Sequence, residues 1–131
     1  MKIYKTQADV EKDIKNNELV VDCDVKFECS IKITASLKIA GDISARNISA
    51  WDISAWDISA WDISARNISA GDISARNISA WDISAWDISF YAVAFAYVKF
   101  ICKSIKGRRE NSKYFCLDSK VIINKKLTIG G

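Results

Sequence analysis

An all-β solenoid, a parallel β-helix built from five-residue sides, is the fold this sequence predicts, and three observations carry the prediction. Residues 41–90 are ten consecutive units of the form x-[Asp/Asn]-Ile-Ser-Ala, from Gly41-Asp42-Ile43-Ser44-Ala45 to Trp86-Asp87-Ile88-Ser89-Phe90. Repetition at a short fixed period marks a solenoid, in which each unit is stable because a copy stacks above and below it. A period of five fits neither the three-and-four spacing of a helix nor the alternation of a flat strand, so the chain must turn once per unit. Within each unit Ile and Ala lie two apart around Ser, which lets a short strand point both inward and Ser outward. The varying residue and the Asp or Asn then fall at the bend, where Asp and Asn bond nearby backbone groups. Trp, Arg and Gly share the varying position, which places it outside.

The varying position reads Gly41, Arg46, Trp51, Trp56, Trp61, Arg66, Gly71, Arg76, Trp81, Trp86 and repeats after thirty residues. Thirty is two coils of fifteen, so the expected coil is triangular. Trp51, Arg66 and Trp81 then share one edge, Arg46, Trp61 and Arg76 a second, and Gly41, Trp56, Gly71 and Trp86 the third. Arg over an indole is attractive by about 0.5–2 kcal/mol. A four-sided coil of twenty, which would stack Arg46 on Arg66, is the alternative, and a duplication of thirty residues would produce the same periodicity without packing meaning.

The repeat stretch resembles the pentapeptide-repeat proteins, whose unit is similar to Ala-[Asp/Asn]-Leu-x-x. Ile48-Ser49-Ala50-Trp51-Asp52 shares that in-and-out pattern with the large and small inward residues exchanged. The resemblance implies a β-helix. Relatives that imitate DNA with an acidic shaft imply an inhibitor of a nucleic-acid enzyme.

The remaining elements follow in chain order, as one domain with a helical cap over 1–20, a β-helix over 21–100 and a basic cap over 101–131. Thr6 to Asn17 reads as a short amphipathic helix with Thr6 as N-cap, Asp9 in the first turn, and Val10 and Ile14 on one face. It is expected to cover the first coil, whose open edge would otherwise invite stacking. From Val21 to Ala35, Cys23, Val25, Phe27, Cys29, Ile31, Ile33 and Ala35 alternate onto one face, and Leu37-Lys38-Ile39 breaks the frame as a bulge or longer corner. After the repeats Val93 and Val98 fall at the Ile position, and Phe90, Phe95 and Phe100 at the Ala position, where three large rings would plug the end of the core. Ile101–Ile105, the polar turn 106–111 and Lys113–Leu117 read as a β-hairpin, followed by a strand at Val121–Ile123.

Charge is uneven within a net of +3. Residues 41–90 carry three Arg against seven Asp, and residues 91–131 carry nine basic against two acidic side chains, so an acidic shaft ends in a basic cap. The start of the chain reads as no signal peptide, and the longest apolar run, Phe90–Val98, falls short of the roughly 20 residues that span a bilayer. A soluble, cytoplasmic protein with no membrane partner is expected.

Catalytic chemistry finds no support. The chain has no His, and its four Cys (Cys23, Cys29, Cys102, Cys116) include no Cys-x-x-Cys pair, so metal and cofactor binding are not expected and the thiols read as buried and free. The Asp ladder reads as corner hydrogen bonding. Trp51, Trp56, Trp61, Trp81 and Trp86 are the candidate partner or dimer interface, because clustered exposed aromatics mark contact surfaces. Gly71 joins them, since it leaves a slot of about 9.6 Å between Trp56 and Trp86, open to a flat ring. Lys103, Lys106, Arg108, Arg109 and Lys113 are candidate contacts to phosphate or an acidic partner.

The short N-terminal helix, units such as Ala-Trp-Asp-Ile-Ser, and Cys102-Lys103-Ser104-Ile105-Lys106-Gly107-Arg108-Arg109 through Phe115-Cys116-Leu117-Asp118 together resemble small phage and mobile-element proteins of Gram-positive bacteria. That implies a setting in a bacterial host cell. The expected function is a non-catalytic protein that binds and blocks a host defence or nucleic-acid-processing factor. The alternatives are nucleotide or single-stranded nucleic-acid binding through Trp, Arg and the basic cap, and a self-assembling structural β-helix.

Overall fold

A computed structural model describes residues 1–124 as a parallel β-solenoid of about six turns with a small helix near its N-terminus. Its elements are β1 (Lys2–Tyr4), α1 (Gln7–Asp13), β2 (Glu18–Val21), β3 (Val25–Phe27), β4 (Ile31–Lys32), β5 (Ser36–Ile39), β6 (Ile43–Ser44), β7 (Asn47–Ser49), β8 (Asp52–Ser54), β9 (Asp57–Ser59), β10 (Asp62–Cys102), β11 (Ser104–Gly107), β12 (Lys113–Cys116) and β13 (Val121–Ile123). The last seven residues of the expected basic cap, with Lys125 and Lys126, lie outside the described residues.

The coil is triangular. Ile48 pairs with Ile63, Ile53 with Ile68, and Ile58 with Ile73, a spacing of fifteen on each of three sides. The expected facing holds throughout the repeats: every Ile from Ile43 to Ile88 and every Ala from Ala50 to Ala85 is buried, and no polar or charged residue is buried among the described residues. Backbone amides at the corners donate to the carbonyl one coil below, as from Arg66 to Trp51 at 2.7 Å and from Arg76 to Trp61 at 2.7 Å. These corner amides are therefore satisfied by backbone carbonyls, without a polar side chain entering the core.

The first coil is wider. Val25 pairs with Ile43, Ile31 with Ile48 and Leu37 with Ile53, so the spacing narrows from eighteen through seventeen and sixteen to fifteen. Inward residues 19, 25, 31, 37 and 43 are six apart, and Leu37-Lys38-Ile39 lies on the last of four six-residue sides, which is the longer corner of the two expected forms and not the bulge. The helix is shorter than Thr6–Asn17 and ends at Asp13. Thr6 Oγ1 accepts the Asp9 amide at 3.1 Å as the expected N-cap, and Val10 is fully buried. Asn16 and Asn17, at φ 53° and 61°, turn the chain into β2 through the left-handed region that Asn tolerates. The Gln7 side-chain amide donates to the Lys32 carbonyl at 2.8 Å and accepts the Lys32 amide at 3.1 Å, so α1 closes the exposed edge of β4 much as a neighbouring strand would.

Two expectations fail at the C-terminal end. The five-residue frame does not persist, because Ala94 and Ala96 are buried while Phe95 is half-buried and Val98 is exposed. Inward residues 88, 94 and 100 are again six apart, and one added residue turns the intervening side chains over. Phe90 and Phe100 already fill the core end with no exposure, and a third inward ring would overfill it. Phe95 instead stacks outside on Phe115, with centroids 5.4 Å apart and planes 7° from parallel. The expected hairpin is also absent: β11, β12 and β13 each pair in parallel with β10, at Asp87–Ser104, Val93–Lys113 and Phe100–Val121. The turn at 106–111 is a widened corner of a continuing solenoid.

Candidate functional site

The varying residues stand at the three corners, as the fifteen-residue coil requires, and the corners differ in chemistry. On the corner before β7, the Arg46 guanidinium lies 6.0 Å and that of Arg76 4.4 Å from the Trp61 ring. The same column continues to Tyr91, with Arg109 at 6.0 Å from its ring. On the corner before β8, Arg66 lies 4.6 Å from Trp51. The alternation of Arg and Trp therefore has packing meaning, and half-buried Trp51 and sandwiched Trp61 brace the shaft. On the third corner Trp56 is 66% and Trp86 43% exposed, and among the described residues no cation sits over either ring.

The five Trp thus lie on three edges and do not form one patch. Gly71 does lie between Trp56 and Trp86, but the slot has a floor. A Cβ at Gly71 would stand 2.8 Å from the Trp56 carbonyl oxygen and 3.2 Å from Asp57 Oδ1. Glycine is thus required by close backbone approach, and a side chain there would force the corner to shift.

Beside this corner runs a shallow groove of about 620 Å³ along the outer face of the β6 and β9 side, lined by Ser44, Ser59, Ser74 and Ser89 with Asp42, Asp57, Asp72 and Asp87 at its rim. The Asp residues do bond the corners: Asp42 accepts the Asp57 amide at 3.2 Å and Asp57 accepts the Asp72 amide at 3.1 Å. On the other two corners an Asn interrupts the acids. Asn67 Nδ2 donates to Asp52 at 2.9 Å and Asn77 Nδ2 to Asp62 at 3.0 Å. The sequence holds a signal for this that single-position reading misses: every Arg of the repeat is followed by Asn, and every Trp or Gly by Asp. The third corner, which has no Arg, is consequently an unbroken column of acids. Burial and the charges of Asp57 and Asp87 raise the pKa of Asp72 above its ordinary value.

The basic candidates are spread around the C-terminal coils. Lys103 follows Trp86 on the third corner, its amide donating to the Trp86 carbonyl at 2.7 Å, and Lys106 closes the end of the groove. Lys113 opens β12 on the next side. Arg108 and Arg109 converge with Arg76 around Tyr91, where Arg108 Nη2 donates to the Ala75 carbonyl at 2.9 Å.

The four thiols are free, but only Cys102 is fully buried; Cys23, Cys29 and Cys116 are half-buried. Burial and the nearby Asp87 charge push the Cys102 thiol up to about 11, and burial raises Cys29 as well, so neither is a ready nucleophile. Among the described residues no group of three His, Cys, Asp or Glu is placed to hold a metal ion, and no helix is long and apolar enough to cross a membrane. No family model, curated protein or solved structure matches the chain.

Proposed function

We propose that this chain is a non-catalytic binding protein that engages a host protein through its corner tryptophans. In the phage or mobile-element setting that the sequence resemblance implies, binding would block that factor. The observation that carries the reading is the exposure of Trp56, Trp81 and Trp86 on the shaft, with no cation over their rings among the described residues. Large apolar side chains held rigidly at a surface lose little entropy on binding and supply much of an interface's energy. The test is stoichiometric capture from host lysate by the wild-type chain and by Trp56→Ala, Trp81→Ala and Trp86→Ala, each verified as folded by circular dichroism. A saturable partner lost on replacement of at least one tryptophan supports the reading, and capture indifferent to all three overturns it.

A second reading rests on the convergence of Arg76, Arg108 and Arg109 around Tyr91, which suits a nucleotide or single-stranded nucleic acid by stacking and phosphate contact. Salt-dependent retention on oligonucleotides, lost in Tyr91→Ala, separates it from protein binding.

A further inference from the structure

The geometry points to a specific occupant for the third corner: we propose that the Trp56, Gly71, Trp86 column receives an arginine side chain from a basic segment of the partner protein. This rests on the binding reading above and names the chemistry of what is bound.

The chain itself supplies the template. On the other two corners guanidinium and indole stack at 4.4 Å for Arg76 on Trp61 and 4.6 Å for Arg66 on Trp51, while Trp81, the next residue of the Arg66 column, has no cation over its ring among the described residues. Trp61 lies between two guanidiniums in successive coils, at 4.4 and 6.0 Å. On the third corner the order is Gly41, Trp56, Gly71, Trp86, so Gly71 stands in the place that Arg66 and Arg76 fill elsewhere. Two strand spacings separate Trp56 from Trp86, about 9.6 Å. A plane placed midway would be about 4.8 Å from each ring, within the range of the contacts the other corners already make. A guanidinium is planar and weakly hydrated, so it suits such a place better than an ammonium.

Charge agrees with shape. The corners that carry their own Arg also carry Asn47, Asn67 or Asn77, and the third corner carries Asp42, Asp57, Asp72 and Asp87 one coil apart, none of them in a salt bridge among the described residues. Ionised groups stacked at this spacing repel, and an incoming guanidinium relieves the repulsion while its N–H groups reach carboxylate oxygens not used by the corner amides. The groove along Ser44, Ser59 and Ser74 gives the backbone of the bound segment a polar track beside the slot. Lys106 at its far end fixes a polarity, favouring an acidic or neutral residue there.

Hexa-arginine is the probe, with hexa-lysine and hexa-glutamate as comparisons, followed by calorimetry at low and physiological salt. In the wild-type chain, titration is expected to shift the indole Nε1–H resonances of Trp56 and Trp86 and to leave that of Trp61, already sandwiched, in place. Hexa-arginine is expected to bind at least tenfold more tightly than hexa-lysine, and Trp56→Ala/Trp86→Ala is expected to remove that preference while Trp61→Ala keeps it. Equal binding of the two cationic peptides, shifts spread evenly over all five indoles, self-association in place of peptide binding, or no binding at all would overturn the proposal. If hexa-arginine fails while lysate capture still depends on Trp56 or Trp86, the binding reading stands and only the arginine assignment falls.

Discussion

Trp56 and Ile58 lie two residues apart at opposite extremes of environment, 66% and 1% exposed. Ile58→Ala removes three carbons from a filled core whose neighbours are held by coils above and below, and it is expected to cost about 2–5 kcal/mol. Trp56→Ala removes a ring that contacts little and is expected to cost less than about 1 kcal/mol. Denaturant melts of the two variants decide, and comparable losses would contradict the facing of the repeat. Asp72 gives a residue-scale prediction in pH. Its folded pKa is raised by burial and by Asp57 and Asp87, so the folded state binds more protons than the unfolded one, and its contribution is most favourable below the ordinary value of 3.8 and is lost as pH rises through the folded value. Asp72→Asn, which copies the Asn found at Asn67 and Asn77, is therefore expected to raise the melting temperature at pH 7. The gain should vanish below the ordinary carboxyl range and shrink in high salt. A gain that persists at low pH would assign the effect to packing.

At the scale of elements, the facing of each repeat side was legible because Ile and Ala differ from Ser in the one property that burial selects. The N-cap at Thr6 was legible for a similar reason, since the hydroxyl and the following amides are local in sequence. What escaped were features that depend on two coils at once. The clamp of Gln7 on Lys32 joins residues far apart in the chain, and the one-residue shift that turns Phe95 outward reflects volume already taken by Phe90 and Phe100. The hairpin expected at the end failed because a widened corner and a reversing turn draw on the same residues, Gly107 and Asn111 among them, and only pairing direction separates them. These assignments predict a contrast between two rings. Phe100→Ala opens a cavity in the core end and is expected to cost about 3–5 kcal/mol, whereas Phe95→Ala loses one outer stack with Phe115 and should cost roughly 1 kcal/mol. Hydrogen exchange should show faster opening confined to the C-terminal coils in both, more strongly for Phe100→Ala. Equal losses would place Phe95 inside.

For the whole molecule, stability is the sum of coils and the interfaces between them, so length is an adjustable property. The side pattern repeats every fifteen residues, but the corner pattern repeats every thirty, and the two can be separated by insertion. A second copy of residues 41–70 placed after Ala70 adds two coils, keeps every Ile over an Ile, and keeps Arg next to Trp or Trp next to Gly along each edge. A second copy of residues 41–55 placed after Ala55 adds one coil and also keeps the core, but it sets Arg46 against its own copy on one edge and Trp51 against its own copy on another. The copies keep every contact now seen at 4.4–6.0 Å, but the one added interface sets like charges face to face and gains no cation over a ring. Both variants are expected to fold as longer solenoids. The thirty-residue insertion should raise thermal stability by more than twice the effect of the fifteen-residue one, and high salt should narrow the difference by screening the repulsion of the paired arginines. A gain strictly proportional to the number of coils, at either salt, would show that core stacking alone sets stability and that the corner alternation contributes nothing to it.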